Sequence, residues 1–386
     1  MIAKNTRKLK IAYVITPITF GGAERVNLNF LNNVDRDHFT IVPILFLRPW
    51  EAENYFEYKL KQMGIEFFII PVAKSDSYDL FRVVRCLFKL INLIHGKSYD
   101  LIHTHGYLAD LLGILVSKIS NVPIISTCHG FIYEGITLSF YNKLDCFALK
   151  YIDRIISVSE PLKLDLVKSG IKKDKIVVIK NTPDFSQCND DTSGIRNHLR
   201  NSIKVTSNDI LIGYIGRLSA EKGLTFLLNS IKLLDNNQQQ IKLVVIGEGP
   251  QKNELMVLSD RNRLSSNVIF TGFQKNIDEW LKAIDIFVLP SLTEGSPMVL
   301  LEAMAHGVPC IASDVGGIPQ IIEHNVNGML VPPSKPDELA WAINALNKNS
   351  ILRDKISNNA KNKIAQDYNI KEWANAIQRI YVSVCR

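Results

Sequence analysis

Two glutamates, Glu294 and Glu302, stand with seven residues between them in Pro290-Ser-Leu-Thr-Glu294-Gly295-Ser296-Pro297-Met298-Val299-Leu-Leu-Glu302-Ala-Met-Ala-His-Gly307-Val-Pro309. A carboxylate accepts hydrogen bonds from sugar hydroxyls. Pro290 closes an apolar run that reads as a strand. Ser296 is a good N-cap, and Pro297 suits a first helical position, where a backbone N–H would be unpaired anyway. The helix then runs to about His306, with Gly307 as its stop. Its unpaired N–H groups and positive dipole end lie around Pro297–Val299, an anion site suited to a diphosphate. Glu294 and Glu302 on either side of it suit the two sugar ends of a nucleotide-sugar. By spacing alone, a loop charge and a surface helix residue fit equally well.

Other candidates sit where strands should end. Arg217 and Lys222, in Gly216-Arg-Leu-Ser-Ala-Glu-Lys222-Gly223, offer a planar fork and a mobile point charge to phosphate oxygens. Gly247-Glu-Gly249-Pro and Phe270-Thr-Gly272-Phe273 read as strand-end turns. Gly21-Gly22 follows the first strand and permits close backbone approach to a phosphate. His129-Gly130 follows another strand, where an imidazole can hydrogen-bond a sugar or shuttle a proton. His103 and His105 share one strand face; they fit the acceptor side, and they fit packing or capping equally. No carboxylate pattern completes a metal site around them. Asp35-Arg-Asp37 falls between a helix and a strand and reads as a turn.

The elements that must position these residues alternate. Strands are expected at Ile11–Thr16, Thr40–Leu47, Glu66–Val72, Leu101–His105, Pro123–Cys128, Arg154–Val158 and Lys175–Lys180. Helical patterns intervene, as at Leu80–Ile94 and Leu108–Ile119. The alternation resumes at Ile210–Ile215, Ile241–Ile246, Asn267–Thr271, Asp285–Leu289, Pro309–Ser313 and Met329–Val331. Strand–helix–strand repetition predicts right-handed crossovers and buried parallel sheets. The polar stretch Asp184–Asp209 is the expected junction. The fold class is therefore α/β, with two Rossmann-like, doubly wound domains facing a cleft. Ligands are expected beyond the carboxyl ends of the strands.

The Glu294/Glu302 spacing followed by Ala-Met-Ala, and the continuation Gly307-Val-Pro-Cys-Ile-Ala-Ser-Asp314-Val-Gly-Gly-Ile-Pro319, resemble glycosyltransferase family 4, retaining enzymes of GT-B architecture. The resemblance covers most of the chain and is strongest from Ile210 to Pro333. It implies that Glu294 faces the transferred sugar, Glu302 binds the ribose, Arg217 and Lys222 bind the diphosphate, and Gly272-Phe273 line the base. It also implies donor contacts at Gly22, Gly295, Ser296, Met298 and Val299. By the same resemblance His129 touches the transferred sugar, and closure of the domains brings Gly22 and His129 to the donor. Pro297 departs from the pattern: many relatives carry glycine there, and proline has no N–H to give the sugar. The implied domains are 1–183 for the acceptor, 184–366 for the nucleotide-sugar, and 367–386, holding Trp373, as a helix crossing back to the first.

Composition narrows the setting. With 46% hydrophobic and 22% charged residues, the 386-residue chain reads as globular rather than disordered. No apolar run reaches the roughly 18 residues of a membrane span, and the opening lacks the apolar centre of a secretory signal. The expected location is cytoplasmic. Six scattered cysteines without a Cys-x-x-Cys pair argue against a disulfide framework or zinc site. Of the net charge of +7, about +6 falls in residues 1–185. That basic half suits an anionic membrane surface or a lipid phosphate, and equally a solvated surface. Arg82, Arg85 and Lys89 form one basic stripe on an otherwise apolar helix, which reads as a core helix with one wet face, or as one lying on anionic lipid. No basic–aromatic cluster suggests nucleic acid.

The expected activity is retaining transfer of a hexose or N-acetylhexosamine, without metal or other cofactor. The donor is a nucleotide-diphosphate sugar, UDP-linked, and the acceptor is lipid-linked or a saccharide. A nucleotide-sugar epimerase and a non-catalytic nucleotide-sugar sensor are the competing classes.

Overall fold

The structure is a computed structural model that describes residues 7–17, 21–48, 54–72, 80–130, 144, 146–185, 193–234 and 241–385. The chain divides into two units, Met1–Asn181 with Ile370–Arg386, and Thr182–Asn369.

The first unit carries β1 (Leu9–Ile15), β2 (Phe39–Leu47), β3 (Phe68–Pro71), β4 (Leu101–His105), β5 (Ile124–Cys128), β6 (Arg154–Ser157) and β7 (Ile176–Val178). They form one sheet in the order β3-β2-β1-β4-β5-β6-β7, every pair parallel. Its central strands are buried along their length, as Ile11, Ala12, Val14, Ile102 and Ile125 show. A sheet covered on both faces accounts for such continuous apolar runs. β3 and β7 are shorter than their sequence patterns suggest, because each lies at an edge with one partner. The last helix, Ile370–Val384, packs on this unit. Trp373 and Tyr381 meet Phe30 edge-on at 6.1 and 5.9 Å between ring centroids. Asp35 N–H donates to Gln378 Oε1 at 2.9 Å. Asp35–Asp37 forms a turn: Asp35 Oδ1 accepts from Asp37 N–H, and Oδ2 lies 2.7 Å from His38 Nδ1.

The second unit holds β8 (Ile210–Ile215), β9 (Ile241–Ile246), β10 (Val268–Gly272), β11 (Ile286–Leu289), β12 (Cys310–Ser313) and β13 (Met329–Val331). The order is β10-β9-β8-β11-β12-β13, again parallel throughout. The stretch Asp184–Asp209 is not simply a junction. Residues 186–192 lie outside the described residues, but Ser193–Ser202 is a helix of the second unit. Its Arg200, 4% exposed, donates to Asp285 Oδ2 at 2.8 Å and to the carbonyls of Thr206 and Asp209 at 2.7 Å. Arg196 pairs with the other oxygen of Asp285. Polar composition marked the junction, and these arginines lock the segment to the strand ends of the second unit.

Both sheets reverse their strand order once, between β1 and β4 and between β8 and β11. Ligands of such sheets bind beyond the carboxyl ends of the strands at that reversal. Among the described residues no helix is long and apolar enough to cross a membrane.

Candidate active site

In the second unit the reversal brings together the loops after β8 and β11. The first carries Gly216, Arg217 and Lys222; the second carries Ser291, Glu294, Gly295 and Ser296 and leads into the helix Met298–Ala305. Lys222 Nζ donates to Glu294 Oε1 at 2.7 Å, and Ser291 Oγ donates to the same oxygen at 2.7 Å. The Glu294 side chain is 8% exposed. Its Oε2 makes no hydrogen bond among the described residues, which leaves one carboxylate oxygen for a ligand hydroxyl. Ser291, buried and unremarkable in sequence, is an addition to the expected site. Arg217 is exposed, and its side chain makes no hydrogen bond or ion pair among the described residues.

Glycines let these loops close on one another. Gly316, at φ +54°, leaves no room for a side chain: a Cβ there would stand 1.8 Å from the Glu294 carbonyl oxygen. Gly317 N–H donates to that same carbonyl at 3.1 Å. The Val315-Gly-Gly-Ile turn therefore holds the backbone of Glu294. Gly223 similarly lies against the Pro290 carbonyl, so the loops carrying Lys222 and Glu294 meet. Leu292 N–H completes that contact by donating to the Glu221 carbonyl at 2.7 Å. The Arg217 loop is fixed from the other side by Gly247 and Gly249, by Tyr214 Oη donating to the Arg217 carbonyl, and by Leu218 N–H donating to the Glu248 carbonyl.

The helix differs from the sequence reading at its start. Pro297, not Ser296, is the N-cap, because its ψ of 108° is extended and helical geometry begins at Met298. The Pro297 carbonyl accepts from Leu300 and Leu301, and the first-turn N–H groups of Met298 and Val299 have no partner within the helix. His306 is the C-cap and Gly307, at φ +71°, follows it. Glu302 is buried, 6% exposed, so it is not a surface helix residue. Gly272, at φ +72°, ends β10, and the Phe273 ring beside it is 41% exposed.

The first unit gathers a different set at its own reversal. Gly22 is exposed at the start of the helix Gly22–Asn33. Glu24 Oε2 accepts from Gly21 N–H at 2.9 Å, and burial pushes that carboxyl up to about 7. His105 is buried at the end of β4, with its Nδ1 3.2 Å from Nε2 of His129. Burial pulls His129 down to about 4 and His103 to about 3. The three histidines are therefore neutral near pH 7, which suits hydrogen bonding better than charge pairing. His103 is 1% exposed, with Nδ1 2.7 Å from Tyr381 Oη and Nε2 2.8 Å from Thr127 Oγ1. Both nitrogens are engaged inside the unit, toward Tyr381 and Thr127. Tyr381, nearly 280 positions away in sequence, carried no signal for that contact. Among the described residues no group of three or more His, Cys, Asp or Glu is placed to hold a metal ion.

The comparisons agree with this division. The family model for Glycosyltransferase Family 4 matches residues 20–187, and that for Glycosyl transferases group 1 matches residues 195–363. The chain is 25% identical over 399 residues to the Escherichia coli UDP-Gal:alpha-D-GlcNAc-diphosphoundecaprenol alpha-1,3-galactosyltransferase, covering 98% of this chain and 97% of that one. It is 26% identical to the Staphylococcus aureus capsular polysaccharide biosynthesis glycosyltransferase CapM, over 80% of this chain and 83% of the relative. Among solved structures, Anabaena HepE in complex with UDP and glucose matches with a TM-score of 0.85 at 23% identity, over 97% of this chain and all of that one. WaaG, a glycosyltransferase involved in lipopolysaccharide biosynthesis, matches with a TM-score of 0.75 at 14% identity, over 96% and 99%. Two successive doubly wound units of this kind are the GT-B fold. One model spans the first unit's glycine turn and histidines and the other spans Arg217, Lys222, Glu294 and Glu302, and the chain belongs to the group 1 glycosyl transferases of glycosyltransferase family 4.

Proposed function

We propose that the chain transfers a hexosyl or N-acetylhexosaminyl group, with retention at the anomeric carbon and without a metal, from a UDP-sugar to a lipid-linked or saccharide acceptor of cell-surface polysaccharide synthesis. The observation that carries this reading is the Lys222–Glu294 pair, at the strand reversal and just before the start of the Met298–Ala305 helix. A diphosphate arriving there competes with Glu294 for Lys222. Lys222, Arg217 and the unpaired N–H groups of Met298 and Val299 then stabilise the charge that grows on the departing diphosphate. Freed of Lys222, Glu294 accepts from a hydroxyl of the transferred sugar, and Glu302 takes the ribose. Gly272 and Phe273 flank the base. By the family resemblance alone, Gly22 is assigned to phosphate and His129 to the transferred sugar. The acceptor hydroxyl attacks from the leaving-group face, and a diphosphate oxygen takes its proton. The E. coli relative, named for a UDP-galactose donor and a diphosphoundecaprenol-linked acceptor, supports the donor and acceptor classes.

The proposed acceptor class places the enzyme at the cytoplasmic face of a membrane, in contact with anionic lipid. The helix Leu80–Lys97 supports this. It buries Cys86, Leu90 and Ile94, yet Phe81 is 74% and Phe88 61% exposed, beside exposed Arg85 and Lys89. Aromatic side chains interleaved with cations suit a headgroup boundary. Phe88→Ser together with Arg85→Ala should weaken co-sedimentation with phosphatidylglycerol vesicles.

The test of the activity is a panel of UDP-sugars, read first by thermal stabilisation and then by UDP release with a membrane-lipid extract. One UDP-sugar should stabilise the chain and release UDP only with extract, giving a product of unchanged anomeric configuration. Conversion of the donor alone to a new sugar isomer, or an inverted product, would sink the proposal.

A further inference from the structure

The histidines of the first unit form a row whose hydrogen bonds can be counted. β4 and β5 lie side by side with His105 opposite Thr127. His103 and His105 are two residues apart and point to one face of the sheet, with ring centroids 4.3 Å apart. The Tyr13 ring covers His105 at 4.4 Å. His103 uses both ring nitrogens, toward Tyr381 and Thr127. His105 uses one: Nδ1 lies 3.2 Å from Nε2 of His129. Its Nε2 is buried with no hydrogen-bond partner among the described residues.

Between two neutral imidazoles, a single proton occupies that contact. If His129 donated it from Nε2, His105 would carry its own proton on Nε2, as a buried N–H with no acceptor. If His105 donates from Nδ1, the unpartnered Nε2 is a lone pair. Leaving a buried polar group unmade costs about 1–3 kcal/mol, and orphaned N–H groups are rarer than under-used acceptors. A doubly protonated His105 is opposed by burial and by the adjacent His103 and His129.

We infer that His105 is a positioning residue: it donates its Nδ1–H to Nε2 of His129 and fixes His129 in the tautomer that carries its proton on Nδ1. Nδ1 of His129 has no partner among the described residues, so this nitrogen is the one left to a ligand. The inference rests on the proposed contact between His129 and the transferred sugar, and it sharpens that contact. His129 meets the sugar as a hydrogen-bond donor to a hydroxyl oxygen, and its Nδ1 takes no proton from the acceptor.

The decisive measurement is the tautomer, read on the full chain labelled with ¹⁵N-histidine from long-range proton–nitrogen correlations, with His129→Ala to assign the signals. The expected result is a protonated Nδ1 and a bare Nε2 on both His105 and His129. A protonated Nε2 on His129 overturns the inference. His105→Asn keeps an amide N–H near the place of Nδ1, so His129 should hold its tautomer. UDP release from UDP-glucose, UDP-galactose and UDP-N-acetylglucosamine should then stay within about threefold. His105→Leu removes the donor, so His129 should shift toward the Nε2–H form. Any UDP release should fall by about 10- to 100-fold in kcat with little change in KM. An unshifted tautomer in a His105→Leu chain that still melts cooperatively also overturns the inference, because a purely structural His105 leaves that spectrum alone. Full UDP release by His129→Ala would instead sink the sugar contact, while the spectra still decide the positioning role.

Discussion

The two strand reversals solve different electrostatic problems. In the second unit, Arg217 stands exposed and Lys222 is only partly covered, held 2.7 Å from a carboxylate. Its fully buried cation, Arg200, is spent on scaffold, bridging Asp285 and two carbonyls. In the first unit the histidines at the reversal are neutral, with His103 and His129 held at about 3 and 4 by desolvation. The difference teaches that charge is kept mobile at the proposed diphosphate site. Burial is used where direction, rather than charge, is wanted.

Lys222→Ala gives the hardest test of that contrast. Transfer should fall by about 10²–10³-fold while circular dichroism and the melting midpoint stay close to the parent. Unchanged turnover would break the comparison at its charged end. Arg200→Ala takes one of two arginines from Asp285 and the donor from the Thr206 and Asp209 carbonyls, and should cost about 2–3 kcal/mol in urea unfolding of the second unit. UDP affinity measured below the transition should not change, because Arg200 is not among the donor contacts. An affinity loss as large as the stability loss would dissolve the distinction between scaffold cation and donor cation.

Gly316→Ala probes how closely the loops must fit. A methyl 1.8 Å from the Glu294 carbonyl, at φ +54°, forces the loop to move. Strain of about 1–3 kcal/mol is expected, together with weaker UDP-sugar binding by titration calorimetry. The gentlest effect is the acid response of the first unit. An unfolded histidine takes up its proton near pH 6.5, but folded His103 waits until about 3 and His129 until about 4. Between those values the unfolded state binds more protons, so stability falls as the pH drops below about 6.5. The slope should approach about 1.4 kcal/mol per pH unit for each histidine. His103→Phe should flatten it in denaturant titrations from pH 7 to 4, and an unaltered slope would show that His103 is not held neutral.

Much of the scaffold was legible before any coordinates. Strand positions such as Leu101–His105, Ile210–Ile215 and Ile241–Ile246 agree residue for residue with the structure, because buried parallel strands must be apolar runs of that length. The motif around Glu294 and Glu302 marked the loop and helix correctly, and Gly307 marked the helix end. The cap was misplaced by one residue, since Pro297 can serve either side of a helix start and only its ψ decides. The Arg196 and Arg200 locks were invisible within a polar stretch, as each depends on Asp285, more than eighty positions later. Ser291 was passed over because a serine beside a proline signals nothing until a carboxylate is placed beside it.

By itself the sequence determined two parallel sheets, the positions of most of their strands, and the residue types waiting at the strand ends. Hydrophobic period, proline and glycine act locally and can be read locally. Only the tertiary structure decided that Lys222 meets Glu294, that Glu302 is buried, and that His105 reaches His129 while His103 is sealed by Tyr381. Those are pairings between distant positions, and a hydrogen bond of 2.7 Å is set by where the backbone carries each partner, which residue types alone do not specify.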